Sequence, residues 1–77
     1  MISSICLRDK ATGEQLDEVK IDSRPHVTNF QAKISWRAIL KIASGETMSE
    51  AIQNAFEKFR QNPIIAQYDI SLTHSDD

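Results

Sequence analysis

Several residue types that build common sites are scarce in this sequence. Cys6 is the only cysteine among 77 residues, so an internal disulfide cannot form and a reducing, cytoplasmic setting is expected. The two glycines, Gly13 and Gly45, are too few for a dinucleotide fingerprint or a phosphate-binding loop. Apolar runs all fall short of the roughly 20 residues that cross a bilayer, and the first ten residues lack the apolar stretch of a secretory signal. We therefore expect neither a nucleotide site nor contact with a membrane.

Catalytic and metal-ligating side chains are equally sparse. His26 and His74 are the only histidines, and neither stands at a recognisable spacing from a nucleophile. One cysteine and two distant histidines do not supply the four closely spaced ligands that zinc prefers. Neighbouring carboxylates such as Asp17 and Glu18 point to opposite faces of a strand, as in a solvated edge. The sequence therefore predicts no enzyme, no metal and no cofactor.

The overall composition is that of an ordinary globular chain. Apolar residues make up 40% and charged residues 26% of the sequence, and the net charge is −2. The length allows one domain, residues 1–77. A core of this size typically supplies no more than about 3–5 kcal/mol of net stability, so binding to a protein partner or formation of a homodimer would stabilise the fold further.

The N-terminal third has the pattern of a β-hairpin. Residues 2–8 and 16–22 are rich in β-branched side chains, and Gly13 lies between them in a turn that requires a positive φ. The hairpin is expected to end at residues 23–26, because Pro25 lacks an amide donor and disfavours helix at the preceding residue.

Residues 30–43 fit two structures. Period-two alternation predicts a strand that begins near Val27 and has on one face Phe30, Ala32, Ile34, Trp36, Ala38, Leu40 and Ile42. Helical spacing instead gives an apolar stripe of Ala32, Trp36, Ile39, Leu40 and Ala43, with Gly45 as a possible terminator. The cleaner alternation favours the strand, whereas the length of the segment favours the helix.

A helix over residues 48–61 is the clearest element. Thr47 and Glu50 have the spacing of a capping box, and apolar residues then recur at helical spacing up to Phe59. Residues 64–73 alternate as a half-buried strand with Tyr68 and Leu72 on the apolar side, and the tail from residue 74 is expected to fray. The fold class is α+β with two layers: a mainly antiparallel sheet and one helix, in the order β-β-β-α-β, with β-β-α-α-β as the alternative.

Charge is segregated along the chain. Residues 23–45 contain no acidic side chain, and their four cations are Arg24, Lys33, Arg37 and Lys41, so the remainder of the chain has a net charge of −6. A spacing of four places the last three cations on one face of a strand or along one ridge of a helix. On the strand interpretation Ile39 joins this basic face, where a second subunit could cover it, and Trp36 points into the core.

The basic face is the candidate binding site. Our first hypothesis is a non-enzymatic interaction module or small regulator that binds another macromolecule, most simply a protein, through Arg24, Lys33, Arg37, Ile39 and Lys41. The alternative is a nucleic-acid binder that uses Lys33, Arg37 and Lys41, although the pI near 5.6 and the absence of interleaved exposed aromatics disfavour it. Lysines on a solvated face that prevents edge pairing would give the same pattern.

Residues 45–59, GETMSEAIQNAFEKF, carry a limited family resemblance. The segment resembles the turn and helix of HicB-like antitoxin domains, although the glycine- and proline-rich segment of those proteins is missing. It is also similar to the second helix of ribbon-helix-helix DNA-binding proteins. That second resemblance implies a ribbon at residues 30–34, with Gln31, Lys33 and Ser35 facing DNA, followed by a very short first helix.

Overall fold

The computed structural model describes residues 2–75 and has five strands and one α-helix. In chain order the elements are β1 (Ile2–Asp9), β2 (Gln15–His26), β3 (Asn29–Trp36), β4 (Ile39–Gly45), α1 (Met48–Arg60), a short 3₁₀ turn (Ile65–Gln67) and β5 (Tyr68–Ser75). The strands form one antiparallel sheet in the order β4-β3-β2-β1-β5. The predicted α+β class is confirmed, and the order is β-β-β-β-α-β, with one strand more than predicted.

The additional strand arises because residues 30–43 turn back on themselves. Arg37 and Ala38 form a two-residue hairpin connection, across which Trp36 pairs with Ile39. Arg37 has a φ of 54°, the left-handed backbone that the commonest two-residue hairpin turns use to match the twist of their strands. The prediction of a single strand starting near Val27 is therefore wrong, and so is the alternative of a helix.

Strand β2 continues through Pro25 instead of ending at residue 23. Its ladder with β1 stops where Ser3 meets Ile21, so the rest of β2 pairs with β3 alone. Proline is tolerated where one side of a strand has no neighbour, because its missing amide then removes no ladder bond. The predicted break at residues 23–26 is wrong, and the chain reverses after His26.

The predicted first hairpin is confirmed. Gly13 has a φ of +75° and its amide donates to the Asp9 carbonyl at 2.8 Å. The Asp9 carboxylate accepts from the amides of Ala11 and Thr12, so the turn is closed by its own side chain.

Helix α1 begins where the capping signal predicts. The Thr47 hydroxyl accepts from the Glu50 amide at 3.1 Å, which satisfies one of the free amides of the first turn. The face that packs on the sheet consists of buried Ala51, Ile52, Ala55, Phe56 and Phe59. These side chains cover strands β2 to β4, and the helix therefore lies over one half of the sheet.

The opposite half of the sheet is covered less completely. Ile5 and Leu7 of β1 are fully buried, while Ile70 and Leu72 of β5 are only partly buried against the same core. The predicted C-terminal strand is confirmed from Tyr68 onward, after the 3₁₀ turn. His74 lies in β5 rather than in a frayed tail, and residues 76–77 of that predicted tail lie outside the described residues.

Candidate interaction surface

The structure divides the residues of the predicted basic face between the two faces of the sheet. Lys33 pairs with Ile42 on the face opposite α1, which we call the open face. Lys41 pairs with Ile34, which is fully buried on the helix side. The two-residue turn between β3 and β4 shifts the alternation by one position. Even-numbered residues of β3 therefore lie on the same face as odd-numbered residues of β4. The prediction that Lys33 and Lys41 lie together is wrong.

Arg37 does not extend the basic surface either. Its guanidinium carbon lies 4.4 Å from the centroid of the Trp36 ring, which is a cation–π contact. Trp36 is 8% exposed, so its predicted place in the core is confirmed. The Tyr68 ring meets it edge to face at 6.0 Å between centroids. Arg37 therefore covers the indole and belongs to the packing of the domain.

Asp17 completes this cluster around the indole. The Trp36 Nε1–H donates to Asp17 Oδ2 at 2.7 Å, and the Glu18 amide donates to Oδ1 at 2.8 Å. The indole hydrogen bond, then the amide hydrogen bond and the Arg37 charge, hold the pKa of the Asp17 carboxyl below its usual value. The positive charge of Arg37 thus already interacts with the Trp36 ring and with the Asp17 carboxylate of the same chain.

Ile39 is also placed differently from the prediction. It pairs with Trp36 and packs partly buried against the core, away from Lys33. Leu40 and Ile42, predicted to be on the inner side, instead stand on the open face and are 55% and 43% exposed. The adjacent apolar pair of residues 39 and 40 interrupts the alternation, and this was the signal for a change of face.

Arg24 and Lys33 are the two predicted site residues that the structure brings together. They line a shallow depression of about 200 Å³ on the open face, together with Asp22, Gln31 and Ile42. Arg24 forms an exposed ion pair with Asp22 at 2.7 Å, and Lys33 stands opposite Asp22 in the ladder. The depression therefore combines an apolar side chain, an amide, one carboxylate and two cations, and of the two cations Arg24 is the one that forms an ion pair with the carboxylate.

Lys41 lines a second cleft of about 310 Å³, on the other side of β4. The remaining lining residues are Lys58, Gln61, Asn62 and Pro63. This cleft lies at the C-terminal end of α1, where free carbonyls and the helix dipole attract cations. Lys58 donates from Nζ to the Ile42 carbonyl at 3.1 Å. The charges of Lys41 and Lys58 stabilise the C-terminal end of α1, and Lys58 also bonds to the edge strand. These structural roles account for the two lysines in the cleft without a ligand.

The histidines stand apart from carboxylate clusters. His26 ends β2 and pairs with Asn29, whereas the His74 Nδ1 lies 2.8 Å from the Ser3 hydroxyl. Within residues 2–75, histidine, cysteine and acidic side chains nowhere form a group of three that could hold a metal ion. A helix with the length and apolar character needed to span a membrane is likewise not found in that part of the chain.

Comparisons of the chain with known family models, curated proteins and solved structures find no match. The fold also differs from the ribbon-helix-helix arrangement, because β4 occupies residues 39–45 where that family has its first helix. The resemblance of residues 45–59 is thus that of one capped amphipathic helix.

Proposed function

We propose that this chain is a non-enzymatic binding module that attaches to an acidic protein surface through its open face. The contact region, which we call the open-face patch, consists of Arg24, Gln31, Lys33, Leu40 and Ile42. One observation carries the proposal: Leu40 and Ile42 are about half exposed beside Lys33, while α1 packs only on the other side of the sheet. Contiguous exposed apolar side chains rimmed by polar ones are typical of protein-binding surfaces.

The charges of the open-face patch favour an acidic partner. Arg24 is already paired with Asp22, whereas Lys33 has no carboxylate within ion-pair distance among residues 2–75. An acidic side chain of a partner could approach Lys33 while its apolar neighbours contact Ile42 and Leu40. Such a charge pair at the rim would steer association and fix orientation, and the apolar contact would supply most of the affinity.

A nucleic acid fits the same face less well. Phosphate binding draws its strength from several cations that act together. Here Lys41 lies on the helix side, Arg37 is stacked on Trp36, and Asp22 stands between Arg24 and Lys33. A protein partner is therefore the occupant that the geometry supports.

The test compares two substitutions in the open-face patch with two matched controls elsewhere. Ile42→Ser and Lys33→Glu should each lower recovery of the bound protein from a native extract by about tenfold. Ile64→Ser removes an isoleucine that is 53% exposed in a loop, and Lys41→Glu reverses a charge on the helix side. Both controls should leave recovery unchanged.

Two outcomes would contradict the proposal. One is a partner whose quantified recovery is the same for all four variants, or is lowered equally by all of them. The other is binding to duplex DNA that depends on Lys33 and weakens steeply between about 50 and 200 mM salt, which would identify a nucleic-acid binder.

A further inference from the structure

Strand β5 forms an outer edge of the sheet with an uninterrupted pairing surface. It pairs with β1 along its whole length, from Tyr68 opposite Asp9 to Ser75 opposite Ile2, without a bulge. In the described part of the chain β1 is its only strand neighbour. On a regular edge strand, alternate amide and carbonyl groups point away from the sheet and can pair with another strand.

The other edge of the sheet, β4, is covered. Lys58 donates to the Ile42 carbonyl at 3.1 Å, and Asn54 donates to the Ser44 carbonyl at 3.0 Å. Side chains of α1 thus occupy outward acceptors of β4. The side-chain bonds of β5 run instead to its neighbour β1, from Thr73 to Ser4. Among residues 2–75, the molecule protects one edge of the sheet and leaves the other open.

The helix-side residues of β5 are also incompletely buried. Tyr68, Ile70 and Leu72 pack against the core but remain partly exposed, because α1 lies over β2 to β4. An added strand beside β5 would place its own side chains next to this row and bury its outer flank. The outer edge of β5 therefore combines backbone groups that are free to pair with another strand and a row of partly exposed side chains, Tyr68, Ile70 and Leu72, at the border of the core.

We propose that two copies of this chain associate through β5, antiparallel, about a two-fold axis at Ser71, to form a ten-stranded sheet. In this register Ile70 lies opposite the partner subunit's Leu72, and Asp69 opposite the partner subunit's Thr73. Tyr68 then meets the partner subunit's His74. Each residue faces one from the same side of the sheet, as antiparallel pairing requires.

Other two-fold registers are less complementary. An axis at Ile70 limits the overlap to residues 68–72, whereas the axis at Ser71 pairs residues 68–74. An axis at Leu72 keeps the overlap but sets Ile70 against the imidazole of the partner subunit's His74. The axis at Ser71 also separates the two Asp69 carboxylates, and Asp69 is the only acidic residue of the strand. In this register Ile70 and Leu72 face each other, and each Asp69 carboxylate faces a hydroxyl rather than a second carboxylate.

The first experiment measures association with two substitutions at one position. Thr73→Asp places a carboxylate opposite the partner subunit's Asp69 at two places in the dimer, whereas Thr73→Lys places an ammonium there. Both variants lose the same Thr73–Ser4 hydrogen bonds within the chain, so any cost to the single subunit is shared. A one-strand interface is small, and a micromolar dissociation constant is expected.

Sedimentation velocity over a concentration series should show a dimer for the natural sequence. The dissociation constant should rise at least about tenfold for Thr73→Asp and should be equal or lower for Thr73→Lys. Circular dichroism confirms that each variant is folded. A chain that stays monomeric up to about 1 mM, or two variants that shift the equilibrium equally, would overturn the proposal.

A second experiment locates the axis. In a Cys6→Ala background, Ser71→Cys should give a disulfide-linked dimer on mild oxidation, because the two thiols meet at the two-fold axis. The background change is needed because Cys6 stands opposite Ser71 within the chain. Ser44→Cys on β4 is the control and should stay unlinked. Equal cross-linking at both positions would refute pairing through β5. The edge is distinct from the open-face patch, so either proposal can fail alone.

Discussion

Of the two glycines, Gly45 has the tighter steric environment. A Cβ there would lie 2.6 Å from both the Ala51 amide nitrogen and the Glu50 Cβ, where the end of β4 passes beneath the start of α1. At Gly13, by contrast, the backbone has a φ of +75° and nothing lies within 4 Å of an added Cβ. The two glycines are therefore required for different reasons, one for space and one for conformation.

This contrast gives a prediction about stability. Gly13→Ala should lower the free energy of unfolding by about 1 kcal/mol, the cost of a left-handed alanine. Gly45→Ala should lower it by about 2–3 kcal/mol, because backbone rather than a flexible side chain must move. Urea denaturation of both variants measures the difference. A Gly45→Ala protein as stable as the natural one would show that α1 does not need this close approach.

Asp17 gives a prediction about pH. Its pKa is lowered in the folded state by the Trp36 hydrogen bond first, then by the Glu18 amide and Arg37. Its stabilising contribution is therefore complete above the unfolded aspartate pKa of about 3.9 and is lost as pH falls through the lower folded value. Asp17→Asn should be less stable than the natural chain at pH 6, and the gap should close in acid. A gap that stays constant from pH 6 to about 2 would contradict this origin.

At the level of elements, the start of α1 depends on one hydroxyl. The Thr47 Oγ1 accepts from the Glu50 amide, and Thr47→Ala leaves that amide without its cap. We expect the free energy of unfolding to fall by about 1 kcal/mol. Thr28→Ala, in the exposed turn after β2, is the matched control and should change stability by less than about 0.5 kcal/mol. Thermal unfolding of the two variants distinguishes the effect of losing the helix cap from the effect of replacing any exposed threonine by alanine.

The elements differ in how well the sequence predicts them. Helix α1 is predictable because its cap, its apolar spacing and its end all agree. Residues 30–43 are not, because Arg37 and Ala38 lack the glycine or asparagine that usually marks a two-residue turn. Beyond the turn, both faces of β4 carry apolar residues: Ile39 lies on one face, and Leu40 and Ile42 lie on the other. The adjacent apolar residues 39 and 40 therefore indicate a change of face, but they do not show that a turn precedes them.

The turn between β3 and β4 also explains why the candidate site was only partly predictable from the sequence. A spacing of four keeps Lys33 and Lys41 together only if the segment is continuous, and the turn between them separates the two residues. Arg24 and Lys33, which lie on adjacent strands before the turn, line the same depression. Their neighbour Ile42 is reached by pairing across β3 and β4, which spacing within one segment cannot reveal.

In the whole molecule, the first and last strands hold the sheet together. β1 pairs with β2 on one side and with β5 on the other, so the chain must close a loop of nearly its full length before β5 can add. Ile5 and Leu7 are covered in part by Ile70 and Leu72. The core is therefore complete only when the last strand is in place.

A shortened chain tests this dependence. A protein that ends at residue 67 lacks β5 and exposes one side of β1, so it should lose cooperative thermal unfolding followed by circular dichroism. A chain that ends at residue 75 keeps every described strand and should unfold like the natural protein. Cooperative unfolding of the shorter chain at an unchanged midpoint would show that four strands and the helix suffice.

The side chains that cover β4 also limit growth through strand addition. Two copies joined at β5 leave a β4 strand at each end of the combined sheet. There the carbonyls of Ile42 and Ser44 already accept from Lys58 and Asn54, and an incoming chain would have to break those bonds first. Such a sheet has a fixed stoichiometry of two and does not extend into a fibril.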